Sequence, residues 1–523
     1  MHIKALKEYL ERAEQVRRQW EPLFEECYDY ALPNRTQFKK AIQAGANREG
    51  DRNTDYLFDQ TAVVGVQEFA SRLQYNMMPP FSRWARLVPG SMVDESDRDA
   101  IQEQLDKITA LVFETLEQST FDQDVNEACL DLAVSQGQLL LEESDVPGEF
   151  LTSRSVPLSN IHVLVGPDGQ TWAVFYSEIL KADAVLEKHG DDISPEKRQE
   201  LAGGSKDREV RVVDSFIRTA GSIRRPKWTR TKFMLSPDCV IGEPRQYDGE
   251  GASPWIIFRW AKGAGESYGR GPLLSVLPSV RTANMLMEFI LEAAEWAVSG
   301  AFQADDDGVI NPDTVILEPR AIIPRAVGSK IEPIKNGSDF NVGLELVAHI
   351  QDAIKKGLYN ERLGPREGTP PTAFEIQERM LELARDIGAS FGRLQAELAR
   401  PVIMRVLWLL DKAGMIELPK VNGKVIDIEI QSPLAQAQRI EDVQNVARFG
   451  QYMQQILGPQ LSMVVIEGVQ TATYLAERMM VPAKLVRDEK QSTELLQKML
   501  EAASQQQQLQ EPAAPPPPPI ARA

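Results

Sequence analysis

At 523 residues, with 43% hydrophobic and 26% charged side chains, the chain is long enough for two to four domains and has the composition of an ordinary soluble globular protein. Its net charge of −18 argues against a surface that grips nucleic acid by neutralising phosphates, and no apolar run approaches the ~20 residues needed to span a bilayer. Three scattered cysteines (Cys27, Cys129 and Cys239) and four scattered histidines lack disulfide or metal-ligand spacing, and the start, MHIKALKEYLERAEQ, lacks signal-peptide anatomy, which points to folding in a cytoplasm.

In chain order, Ile3, Leu6, Leu10, Ala13, Trp20 and Phe24 recur at helical spacing and predict a helix over 1–30, stopped by Ala31-Leu-Pro-Asn34. A polar stretch, 35–53, reads as a loop. Helices are expected over 60–76, 94–118 and 122–141, the first ended by Pro79-Pro80. The character then changes. Residues 142–261 read as a β-rich part, with strands in 150–175 turning at Gly166-Pro-Asp-Gly169, and further strands at 209–217, 228–235 and 255–260. A charged helix or loop, 181–207, lies between them. A long helix is expected over 271–300, a β-rich stretch over 302–334, and helices over 340–360 and 372–414. A hairpin over 415–430 turns at Asn422-Gly423, and helical segments with breaks follow over 434–502. The Gln- and Pro-rich end, 503–523, has no core-forming residues and is expected to be disordered.

The strand 255–260, the loop Gly263-Ala-Gly-Glu-Ser-Tyr-Gly-Arg-Gly271 and the helix from Pro272 have the order of a phosphate-binding unit. The residues fit poorly: position 268 is Tyr268 where a third glycine belongs, and no Gly-Lys-Ser/Thr ends the loop. A sharp turn into a helix opened by Pro272 is the better reading. Asp305-Asp306-Asp307-Gly308 lacks the spacing of a calcium loop and reads as a solvated turn. No catalytic motif and no cofactor site emerges.

Two elements carry more information. The helix over 272–299 is apolar on two faces (Leu273, Leu277, Val280 and Met287 on one; Val276, Ala283, Leu286 and Ile290 on the other), so it packs between two neighbours. Its remaining face carries Glu288, Glu292 and Glu295, either a solvated face or an acidic lining where copies of the helix stand around a hole. The loop 361–371, with Arg362, Leu363 and Arg366 after Lys355 and Lys356, is a small basic cluster in an acidic chain. It is either a solvent loop or one that touches a phosphate backbone. Thr372 and Glu375 then make a capping box, and a long apolar stripe runs through Ile376, Met380, Leu383, Ile387, Phe391, Leu394 and Leu398 to Pro401, which should kink the helix.

The segments LFDQTAVVGVQEFASRL, PPFSRWARL, SVPLSNIHVLVGPDGQTWAVFY, GESYGRGPLLSVLPSVRTANMLME, PPTAFEIQERMLELARDIGASFGRLQAELARPVIMRVLWLL and SPLAQAQR, in this order, resemble the portal (head-to-tail connector) proteins of short-tailed bacteriophages. The resemblance implies an α+β, predominantly helical portal fold that assembles into a dodecameric ring. Within it, 1–271 would be the wing (helical over 1–141, β-rich over 142–261), 272–299 and 340–360 the stem helices, and 300–339 the clip. Residues 361–371 would be a DNA-facing tunnel loop, 372–433 a long kinked wing helix with its hairpin, and 434–502 the crown. It also implies a virion protein, assembled in the host cytoplasm, that is not an enzyme and needs no cofactor. Its partners would be other copies of itself, double-stranded DNA in the channel, the large subunit of the terminase, the tail adaptor, and capsid, scaffolding and internal core proteins, with no membrane. Clip contacts would fall at Asp305, Asp306, Asp307, Arg320 and Arg325. Two other readings stay open on the residues alone: a nucleotide-binding enzyme built on 255–272, and a homo-oligomeric scaffold that never meets DNA.

Overall fold

Pro22 makes the first structural decision. Having no N–H and clashing with the carbonyl four residues back, it splits the helix expected over 1–30 into α1 (Ile3–Arg18) and α2 (Glu21–Ala31). The computed structural model describes residues 2–35, 38, 54–90, 95–205, 207–222, 225–299, 302–304, 331–333, 340–360, 388, 390–417, 426–431, 443, 445–458, 471–472 and 474–475. The chain divides into two units, one of Met1–Pro370 with Asp386–Ile430 and one of Pro371–Arg385 with Gln431–Ala523.

In the first unit, α3 (Thr61–Met77), β1 (Ala85–Pro89), α4 (Glu95–Glu117) and α5 (Phe121–Val134) follow the opening helices. Then come β2 (Gln136–Glu143), β3 (Leu151–Ser155), β4 (Ile161–Val165), β5 (Thr171–Lys181), α6 (Ala182–His189) and α7 (Pro195–Ala202). Strands β6 (Glu209–Ser222), β7 (Arg225–Leu235), β8 (Asp238–Asp248) and β9 (Trp255–Arg259) complete the β-rich part. After it stand α8 (Pro272–Ser299), the short pair β10 (Phe302–Ala304) and β11 (Ile331–Pro333), α9 (Phe340–Gly357), α10 (Arg400–Lys412) and β12 (Ile426–Ile430). Among the described residues of the second unit is a helix over 445–458 that exposes Phe449, Tyr452 and Ile456 along one face. No helix among the described residues is long and apolar enough to cross a membrane.

Strands β4 to β8 form an antiparallel five-stranded meander in sequence order. The turn at 166–169 joins β4 to β5 as expected, with Gly169 at a positive φ of 74°. Leu6, Leu10 and Ala13 of α1 lie on Ala173, Phe175, Val213 and Phe233 of this sheet. Each fully buried Leu or Phe in such a core contributes about 1.5–3 kcal/mol. A second core forms where α6 and α7 cover Val210, Val212, Met234 and Ile241. The charged stretch 181–207 thus contributes two short helices.

Two strands depart from the expected layout. The helix expected over 122–141 ends at Val134, and Gln136–Glu143 is the central strand of the sheet β3-β2-β9, so the β-rich part begins before residue 142. A short apolar run such as Leu139-Leu140-Leu141 does not by itself separate helix from strand. Pairing on both edges decides it, together with Gly137, where a Cβ would fall 2.2 Å from the Phe258 ring. Strand β8 was hidden by Gly242 and Pro244, which occupy a bulge between the pairs Lys232–Ile241 and Arg230–Arg245, at a sheet edge where proline is tolerated. The turn of the hairpin expected over 415–430 lies outside the described residues; its second strand, β12, pairs antiparallel with the distant β1.

At Pro401, where a kink is expected, the helix carries a π turn. The helical residues 390–394 pass into a π turn, Gln395–Ala399, directly before α10. The wider turn accommodates the bonding position that Pro401 cannot fill. The carboxylate of Glu397 in that turn accepts from the backbone N–H (3.0 Å), Nε (3.0 Å) and Nη2 (2.6 Å) of Arg259, which ties the turn to β9. Residues 372–387 of the expected helix lie outside the described residues.

His162 lies buried under α1, and neither ring nitrogen finds a partner among the described residues. Burial, then the cationic Arg17 and Arg211, push its pKa well below the usual 6.5, so the folded chain holds it neutral. The unfolded chain takes up that proton as pH falls below ~6.5, so stability is full above that value and declines beneath it. From about pH 7.5 to about pH 5.5 the loss is on the order of 1 kcal/mol. Urea midpoints of the wild type and of His162→Gln at those two pH values check this; the variant should lose less.

Candidate functional site

Helices α8 and α9 pack along each other and form the element on which the functional expectations converge. At 1.5 Å per residue, the 28 residues of α8 reach about 42 Å. Small residues set the close approach: a Cβ on Gly357 would fall 2.1 Å from Val276 Cγ1, and one on Gly343 3.4 Å from Ile290. The N-terminal half of α8 is buried on both expected faces, through Leu273, Val276, Leu277, Val280 and Ala283.

Asn284, which falls within the apolar series, is a clamp. Its Oδ1 accepts from the N–H groups of Phe58 (2.8 Å) and Asp59 (3.1 Å), and its Nδ2 donates to Tyr56 O (2.9 Å). Asp59 in turn accepts from Thr61 N–H (2.8 Å) at the start of α3 and from Gln351 Nε2 (2.5 Å) on α9. One buried polar knot therefore fixes α3, α8 and α9 together, with each member hydrogen-bonded as burial requires.

Past Asn284 the surroundings of α8 change. Glu288 is half-buried, and Glu292 and Glu295 are exposed. These three lie on one face, four and three residues apart. Met285 and Phe289 flank this stripe on one side and Leu291 on the other, each about half exposed (47%, 53% and 50%). On α9, Leu344 and Leu346 are likewise exposed. Large apolar side chains left open along two packed helices mark a surface made for a partner.

The lower end of α9 leads into the stretch 361–371. Lys355 is exposed and pairs with Asp352 at 3.4 Å, a contact that contributes little at the surface; Lys356 is also exposed. Tyr359 then takes a left-handed conformation (φ 57°), the position that usually ends a helix on glycine. Arg72 Nη1 donates to its carbonyl at 3.3 Å, and its ring lies 5.4 Å from that of Trp260. Asn360 is buried and donates through Nδ2 to Gly65 O on α3. Sequence reasoning passed over these residues, because a tyrosine carries no signal for a left-handed cap and a lone Asn–Gly contact across 295 positions leaves no pattern. Arg362, Leu363, Arg366, Asp305, Asp306, Asp307, Arg320 and Arg325 lie outside the described residues.

The glycine-rich loop before α8 is closed on its own chain. The carboxylate of Glu266 takes the N–H of Gly263 (3.1 Å) and grips Arg270 (2.6 Å). Gly269 and Gly271 pack against backbone, where a Cβ would meet Ser135 O at 2.4 Å and Ala133 O at 2.1 Å. Tyr268 is buried, and its hydroxyl accepts from Val163 N–H. These glycines serve close packing between α5, β2 and α8, not a phosphate cradle.

The fold and the surface together define a mixed helix-and-sheet structural subunit whose open face is a pair of long helices. A family model for the bacteriophage head to tail connecting protein matches residues 3–486, and the chain belongs to that family. The portal protein of Enterobacteria phage T3 is 23% identical over 451 residues, spanning 83% of this chain and 78% of that protein. The portal protein of Escherichia phage T7 is 23% identical over 462 residues (84% and 80%), and the probable portal protein of Bordetella phage BPP-1 is 22% identical over 458 (83% and 79%). A subunit from the neck of an empty gene transfer agent particle is 15% identical and covers 78% of this chain and 93% of its own, at a TM-score of 0.37, too loose a superposition to carry an argument. The chain is therefore a structural portal protein of a bacteriophage virion, and the channel for DNA at the capsid vertex is the work of that class of protein.

Proposed function

We propose that copies of this chain close into a ring, twelve in number, around a channel at one capsid vertex through which double-stranded DNA is packaged and later ejected. The observation that carries the reading is the open face of α8 and α9. Apolar residues flanking an acidic stripe suit a head-to-tail contact between copies, and such a contact makes a closed ring when its rotation closes. In this arrangement α8 and α9 are the stem, and Glu288, Glu292 and Glu295 line the bore. Negative charge there would repel phosphate and keep a moving duplex from adhering. The stretch 300–339, with Asp305, Asp306, Asp307, Arg320 and Arg325, would be the clip that meets the terminase and then the tail adaptor. Residues 361–371 would form the tunnel loop, with Tyr359 and Asn360 as its fixed root.

Negative-stain imaging of the purified chain is the direct test. Rings with radial wings and a hole of ~20 Å or more, wide enough for a duplex whose backbone must pass, are the expected result. A monomer at every salt concentration overturns the proposal. A second measurement addresses the loop. Arg362→Ala with Arg366→Ala should leave ring assembly intact and lower the DNA packaged or retained per particle several-fold, since phosphate contacts are lost without loss of core. Collapse of assembly would instead make those arginines structural.

A further inference from the structure

Between the five-stranded sheet and β2 lies a small cleft open to solvent. Its floor is a closed ion-pair network. Arg230 grips Asp214 through Nε (3.0 Å to each oxygen) and Nη2 (2.6 Å), and its Nη1 donates to Glu142. Glu178 accepts from Arg154 (3.3 Å) and from the Tyr176 hydroxyl. Every carboxylate lining the cleft is therefore taken by a guanidinium.

The remaining cations have no such partner. Lys232 stands directly across the strand pair from Asp214, the position from which a lysine would normally reach it. The planar fork of Arg230 has already claimed that carboxylate. Lys232, half-buried, and Lys188 and His189, at the end of α6, line the same cleft with no hydrogen bond or ion pair among the described residues. The lining of the cleft holds four cations (Arg154, Lys188, Arg230 and Lys232) against three carboxylates, with Asp192 also acting on His189, in a chain of net charge −18. Its walls include Leu140 and Val212, whose low polarisability strengthens the field of the spare ammonium groups.

We propose that this cleft binds a small tetrahedral oxyanion of the phosphate type, held by Lys188, Lys232 and His189 above the preformed Arg230 network. The inference is independent of the ring. Phosphate chemistry has two sources for such a protein, free inorganic phosphate and the backbone of a nucleic acid. Burial, then the adjacent Lys232 and Lys188, hold the pKa of His189 below its usual value against the opposing Asp192 and Glu178, and an anion seated among them offsets the lysines.

The test is calorimetric titration of the full-length chain with sodium phosphate at constant ionic strength. The expected result is saturable binding of one phosphate per chain. Lys188→Ala with Lys232→Ala should weaken it at least tenfold and move the urea midpoint little, since neither ammonium makes a hydrogen bond among the described residues and Lys232 acts on Glu142 only through space. Displacement of phosphate by a short DNA duplex assigns the site to backbone phosphate, and no displacement assigns it to the free anion. Absence of saturable binding, or binding undiminished in the double variant, overturns the proposal.

Discussion

Arg405→Ala should lower the stability of the first unit by about 3–5 kcal/mol, the range for breaking a buried polar network. Arg405 lies in the middle of α10 with 3% of its surface exposed, and it forms no ion pair among the described residues. Its Nε donates to Leu141 O (3.0 Å), and its Nη1 donates to Ala252 O (2.8 Å) and Gly251 O (3.4 Å). The guanidinium also sits 4.8 Å from the Trp408 ring. Burial pulls its pKa down to about 10, still far enough above neutrality for the charge to persist. One side chain thus binds the helix after the π turn both to β2 and to the turn 249–252. That turn runs so close that a Cβ on Gly251 would meet Met404 O at 2.3 Å.

Removing the fork leaves buried carbonyls unpaired, each at about 1–3 kcal/mol, and opens a cavity beside Trp408. Urea unfolding followed by Trp fluorescence checks the value. Arg405→Lys should recover less than half of the loss, because an ammonium cannot span acceptors on two separate segments. If Arg405→Met is as stable as the wild type, packing rather than hydrogen bonding explains the residue, and the argument from the carbonyls is wrong.

Replacing Glu288, Glu292 and Glu295 together with lysine should convert assembled rings from passing DNA to holding it. Each copy changes by about six charge units, and lysine favours helix as well as glutamate does, so α8 itself should persist. Retention of a linear duplex should rise at least a hundredfold at low salt and fall steeply as salt is added, with a log–log slope that grows with the number of phosphates contacted. Filter retention of labelled duplex across a salt series measures both quantities. The triple Gln variant, which removes charge without reversing it, should fall between. Rings that assemble normally and hold no more DNA than the wild type would place the stripe outside the bore.

Local periodicity made much of this architecture readable in advance. The stripe Leu6, Leu10 and Ala13 predicted a helix with one buried face, and it lies on the sheet as such. The turn at 166–169 and the strands around 209–217 and 228–235 followed from alternation and glycine placement, because a strand with two different faces writes a period of two into its sequence. Gln136–Glu143 did not, because a central strand buried on both faces writes no period. Nor did the pairing of β1 with β12, whose partners lie more than 300 positions apart and share no local signal.

The candidate site divides in the same way. Composition and spacing alone determined that this is an acidic chain with a long helix apolar on two faces, an acidic third face and a proline-interrupted partner downstream, since these depend only on residues a few positions apart. Tertiary structure alone decided what Asn284, Tyr359, Asn360, Glu397 and Arg405 do. Each spends its polar atoms or its backbone conformation on a group brought near by folding, and a buried hydrogen bond across hundreds of residues has no sequence period to announce it.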